Sequence, residues 1–104
     1  MFTYVEQMPH LPGGGGQAAI VNAIRQNVIY PKSMTHGYTV KGRVFAQFLV
    51  SAKGEVQDTK IVKGLNPELD NAVLASIKQL PRFEPGRQNG KPVPVSFTVP
   101  ITFQ

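Results

Sequence analysis

Residues 93–103, Val93-Pro94-Val95-Ser96-Phe97-Thr98-Val99-Pro100-Ile101-Thr102-Phe103, alternate without a break. Val93, Val95, Phe97, Val99, Ile101 and Phe103 fall on one face, and Pro94, Ser96, Thr98, Pro100 and Thr102 on the other, the period-2 pattern of a strand with one buried side. The two prolines decide where such a strand can sit. Residues of one parity direct their N–H and C=O to one side, so Pro94 and Pro100 delete donors from the same side, and only an edge strand tolerates that. The edge keeps Ser96 and Thr98 as a pair of intact sites between the blocked positions, with Thr102 beyond. Two readings are open here. The prolines blunt an edge that would otherwise aggregate, or they frame a short docking edge to which a partner adds a strand.

Working outward, Arg82 to Pro92 reads as a loop with turns at Pro85-Gly86 and Asn89-Gly90. Before it, Asn66-Pro67-Glu68-Leu69-Asp70 is a helix start: an Asn cap, Pro where no N–H is needed, and two acids in the first turn. Leu69, Val73, Ile77 and Leu80 form one apolar stripe, stopped by Pro81. Val44, Ala46, Phe48 and Val50 alternate with Arg43, Phe45, Gln47 and Leu49, which predicts a second core-facing strand. Ser51-Ala52-Lys53-Gly54 turns it into a return strand over Glu55–Val62, where Val56 and Ile61 differ in parity. If both face the core, a bulge near residues 57–59 must absorb one residue. Phe48, Phe97 and Val73 are expected between helices and sheet.

Further toward the N-terminus, residues 31–41 hold one possible helical turn stopped by Gly37. Ile20, Ala23, Ile24, Asn27 and Val28 recur at helical spacing within Gln17–Tyr30, which predicts a first helix ending before Pro31. Residues 1–16 read as an extended arm with a glycine hinge at Gly13–Gly16, and residues 17–104 as the domain proper. In the arm Phe2 and Tyr4 alternate weakly, and Pro9 and Pro12 force an extended path. The expected fold class is α+β: a two-layer sandwich of two helices on one face of a small, about three-stranded antiparallel sheet, with an N-terminal arm.

The 104 residues suit one domain, and 41% apolar residues with nine aromatics exceed what disordered chains carry. No apolar stretch approaches the ~20 residues that span a bilayer. The absence of cysteine excludes disulfides and thiolate metal sites. A net charge of +5 is spread from Arg25 to Lys91 without a run of three basic residues, so a nucleic-acid partner is not expected.

Catalytic chemistry has no foothold. His10 and His36 lie in loops without an acid or second His at i+3 or i+4, so no metal site is expected. Glu68 and Asp70 serve the helix dipole, Glu55 and Asp58 flank a hairpin, and Glu6 and Glu84 stand isolated. Gly13–Gly16 precede a helix, but no Gly-Lys-Ser/Thr ending completes a phosphate loop. Neither enzyme activity nor a cofactor is expected.

Tyr30-Pro31, Gly42-Arg43-Val44, the alternating Phe45–Val50, Gly54-Glu55-Val56, Ile61, the helix Pro67–Leu80, Arg82-Phe83-Glu84-Pro85-Gly86, Gly90-Lys91-Pro92-Val93 and Val99-Pro100-Ile101-Thr102-Phe103 together resemble the TonB C-terminal domain family. Pro12-Gly13-Gly14 before a short helix is similar to the arm of members from the Bacteroidetes lineage. Pro81 stands where the family often has an aromatic, and the link from Pro31 to Gly42 is one residue longer than common. The resemblance implies a periplasmic domain of an inner-membrane-anchored energy transducer. Its partners would be TonB-dependent outer-membrane transporters, whose TonB box pairs with the last strand. Here that corresponds to Val95, Ser96, Phe97, Thr98, Val99, Pro100, Ile101 and Thr102. A motor of the ExbB/ExbD type would act through a membrane helix elsewhere in a longer parent chain. The same domain type also occurs in membrane-anchored signalling or peptidase-like sensor proteins, which is the alternative. An open edge and a glycine hinge further imply a possible homodimer at high concentration.

Overall fold

The computed structural model describes residues 2–29 and 42–103, so Tyr30-Pro31, His36 and the turn expected within 31–41 lie outside the described residues. Along the chain run α1 (Gly16–Asn27), β1 (Gly42–Val50), β2 (Val56–Lys63), α2 (Pro67–Lys78), β3 (Gly86–Gln88), β4 (Lys91–Val93) and β5 (Val95–Phe103). The main sheet has the order β2-β1-β5, and β3 with β4 makes a separate two-stranded ladder. Both helices cover one face of the main sheet, which is the expected α+β sandwich. Among the described residues no helix is long and apolar enough to cross a membrane.

β1 is central because its even residues are apolar: Val44, Ala46, Phe48 and Val50 are completely buried under the helices. Ile20 and Ile24 of α1 and Leu69, Val73 and Ile77 of α2 meet them. Against β5 the register is unbroken, from Gly42↔Phe103 to Val50↔Val95. Against β2 it slips twice, between Gln47 and Leu49 and between Phe45 and Ala46. The first slip is the bulge expected at residues 57–59, and Asp58 takes a left-handed φ of 52° to make it. By absorbing one residue it lets Val56 and Ile61, of opposite parity, both pack against the core.

The connections are held by named bonds. In the β1–β2 turn, Gly54 has φ 86° and its N–H donates to Ser51 O at 2.9 Å. A Cβ there would lie 2.0 Å from the carbonyl oxygen of Phe83, so the turn and the segment after α2 meet backbone to backbone. The Asn66 cap forms as expected, its Oδ1 accepting from Leu69 N at 2.8 Å. Asp70 Oδ1 accepts from Leu65 N at 3.1 Å, fixing the approach to α2.

Two element boundaries differ from the periodicity. α1 stops at Asn27, three residues short of the expected end, because Val28 turns extended (φ −72°, ψ 123°) and buries its side chain. That leaves helix carbonyls in need of donors, and side chains supply them: Asn27 Nδ2 donates to Ala23 O, and Ser76 Oγ of α2 donates to Ile24 O. Ser76 is the buried polar residue of the core among the described residues, and it staples the two helices together. The expected loop 82–92 contains the β3–β4 hairpin, since Asn89 (φ 54°) and Gly90 (φ 76°) both reach the positive φ of a tight primed turn. Val93 joins that hairpin, and the last strand begins only after Pro94.

Phe48 and Val73 lie fully in the core as expected, whereas Phe97 is half-buried at the sheet margin. Phe48→Ala is expected to cost about 3–5 kcal/mol in denaturant unfolding, more than Phe97→Ala. Ser76→Ala, which orphans a buried carbonyl, is expected to cost about 1–3 kcal/mol.

Candidate peptide-docking edge

β5 borders only β1 in the main sheet, so one of its sides is an edge, as the prolines demand. The direction of its main-chain groups is fixed by what the arm does there. Ser96 N donates to Phe2 O at 2.7 Å, and Phe2 N donates to Pro94 O at 3.3 Å. Even-numbered residues of β5 therefore present their main chain outward, and odd-numbered ones turn theirs to β1. Pro94 and Pro100 lack outward donors but keep outward carbonyls. Intact outward donors belong to Ser96, Thr98 and Thr102, and the first of these is already bonded to Phe2.

The arm reaches this position by following the chain that leads into β5. His10 and Glu84 exchange both main-chain bonds, at 3.2 and 2.8 Å, and so do Gln7 and Arg87, at 3.1 and 2.8 Å. Glu6, expected to stand isolated, accepts from Asn89 N at 2.7 Å and so holds the β3–β4 turn. Val5 (2% exposed) and Leu11 (6%) bury their side chains. Beyond Val5 the side chains emerge, Tyr4 being 81% exposed and Phe2 38%, and the main-chain bonds of Phe2 hold the arm there.

Between the arm, the first turn of α1 and the edge lies an open cavity of about 650 Å³. Tyr4, Met8, Gln17 and Ile20 form its far walls, and Ser96, Phe97 and Thr98 its near wall. Phe97 is held from behind by Phe48, stacked at 5.6 Å, and by Phe83 at 6.5 Å. On the sheet face turned away from the helices, Gln47 Nε2 donates to Ser96 Oγ at 3.3 Å.

The eight residues expected at the site therefore divide in two. Val95, Val99 and Ile101 are fully buried and act as support, with Phe97 half-exposed at the cavity. Ser96, Thr98, Pro100 and Thr102 lie on the other face, with Thr98 exposed. What the reading of the strand missed is the other wall. Tyr4, Met8, Gln17 and Ile20 are some 80 residues distant, and only the weak Phe2/Tyr4 alternation marked the arm as strand-like. Among the described residues no three His, Asp or Glu side chains converge as a metal site.

A family model for the C-terminal region of the Gram-negative bacterial TonB protein matches residues 26–104. The chain belongs to the TonB C-terminal family. In the solved structures it is similar to the Helicobacter pylori TonB C-terminal domain. One solution structure, of residues 194–285 of that protein, has 28% identity and a TM-score of 0.60, with 84% of this chain and 90% of that one covered. A second, of residues 179–285, has 23% identity and a TM-score of 0.55, covers 85% and 81%, and supports the fold alone. No curated protein matches.

The parity assignment has a direct test in stability. Thr98→Pro removes an outward donor and is expected to leave the thermal midpoint near wild type, as Pro94 and Pro100 are already tolerated. Val99→Pro removes an inward ladder bond at a buried site and is expected to cost about 2 kcal/mol or more, read by thermal melts of both variants.

Proposed function

We propose that this TonB-type domain is the periplasmic grip of an energy transducer, which takes the TonB box of an outer-membrane transporter as a strand beside β5. The observation that carries the reading is the family membership joined to an edge with outward donors at Thr98 and Thr102 and outward carbonyls from Ser96 to Thr102. Strand addition draws affinity from such main-chain groups and leaves the side chains of the accepting edge little to do.

The sheet suits a load-bearing role. A peptide beside β5 would be pulled along the strand direction, so its bonds share the load in shear. β5 is paired with β1 at every position from Val95 to Phe103. β1 lies between β5, over which α1 packs, and β2, over which α2 packs, so a pull on the edge passes through the centre of the core. Force would come from an inner-membrane motor of the ExbB/ExbD type, acting through a membrane helix of the parent chain. A second copy could offer its own edge to the same donors, giving a homodimer in competition with the peptide.

The test is calorimetric titration with a synthetic TonB-box peptide, with sedimentation to count copies. Thr98→Val, which keeps the main chain, is expected to bind like wild type. Thr98→Pro is expected to weaken binding by about 1–3 kcal/mol while remaining folded. Wild-type affinity in a folded Thr98→Pro would place the partner elsewhere.

A further inference from the structure

We propose that the tip of the arm, residues 2–4, is an in-cis occupant of the docking edge, and that an incoming extended peptide binds by replacing it at Ser96. The inference rests on the docking reading above and concerns how that same edge is kept closed.

The tip is placed as an added strand is placed. Phe2 bridges β5 in parallel opposite Val95, with its N–H on Pro94 O and its carbonyl on Ser96 N–H. This is the pair of bonds that strand addition makes, drawn here from the chain itself. It takes the first intact donor of the edge and leaves Thr98 with a blocked neighbour, Pro100, on its far side. A partner confined to what remains would find two donors, Thr98 and Thr102, separated by a proline. A partner that also takes Ser96 gains a third, together with the outward carbonyl of Pro94.

The tip is also built to leave. Its two main-chain bonds are its attachment, while residues 5–11 are secured independently by buried Val5 and Leu11 and by the paired bonds at Gln7 and His10. Lifting residues 2–4 therefore costs two hydrogen bonds and the partial burial of Phe2, and leaves the cavity wall from Met8 to Ile20 in place. Apparent affinity falls to the fraction of molecules whose edge is free, since a partner binds only those. Two backbone bonds of ordinary net strength imply a suppression of roughly 5- to 150-fold.

The experiment compares the full 104-residue chain with a form lacking residues 1–4, and with Phe2→Pro, which deletes only the bond to Pro94 O. Amide hydrogen exchange reads the edge without a partner: the Ser96 N–H is expected to be protected in the full chain and to exchange at least 5-fold faster in the truncated form. Titration with the TonB-box peptide is expected to show tighter binding by the truncated form, within the range above, with Phe2→Pro between the two. Exchange at buried Val99 checks that each variant keeps its fold. Equal affinity for full and truncated chains overturns the inference while the docking reading stands, because the peptide then lies beside Thr98 without touching the tip. Weaker binding by the truncated form also overturns it, showing the tip to be part of the grip. Binding by neither form overturns both.

Discussion

Nine consecutive registers join β1 to β5, and the position of everything else follows from that one ladder. It aligns the even residues of β1 with the odd residues of β5, so that two apolar rows face the helices together. A shift by one residue would turn Val95, Val99 and Ile101 to the open face and bring Ser96 and Thr98 under the helices. The same register aims the even residues' main chain outward. Core and edge are thus consequences of a single parity, and neither can change without the other.

The arm shows how little is needed to occupy such an edge. Phe2 contributes two main-chain bonds and a half-exposed ring, yet it is aligned because Gln7 and His10 are already paired with Arg87 and Glu84. The chain entering β5 and the arm run side by side, and Glu6 on the β3–β4 turn keeps them together. α1 follows the arm from Gly16, and Gly13–Gly16 all take positive φ and turn the chain back over β5. One stretch of the chain therefore supplies the far walls of the cavity and the turn between them.

Much of this was legible before any coordinates, for reasons that differ by element. The prolines at 94 and 100 spoke for an edge because the loss of a donor is absolute, and the parity conflict between Val56 and Ile61 spoke for a bulge because a side chain cannot face both ways. Asn66-Pro67 marked the start of α2 by local chemistry alone. Where the reading fell short, the deciding contacts were remote in sequence. The end of α1 depends on Ser76, 52 residues away from the carbonyl it serves. The β3–β4 hairpin is too short for periodicity to register, although its Asn89-Gly90 turn was visible. The second wall of the cavity needed the arm, and Phe2 and Tyr4 alone say nothing about where a strand-like tip will lie.

The two slips in β2 reach beyond packing. They leave Asp58, Thr59 and Val62 unmatched, interrupt the ladder on that side, and twist the strand away from a straight run. Lys60 borders the first slip and Lys63 the second, and they add charge to an already uneven border. The sheet thus has one border that keeps outward main-chain donors and one whose ladder is broken by bulges. Strand addition to such a sheet would be confined to the β5 border and would terminate instead of propagating. An open sheet with one such border is in this way kept from becoming the unit of a fibre.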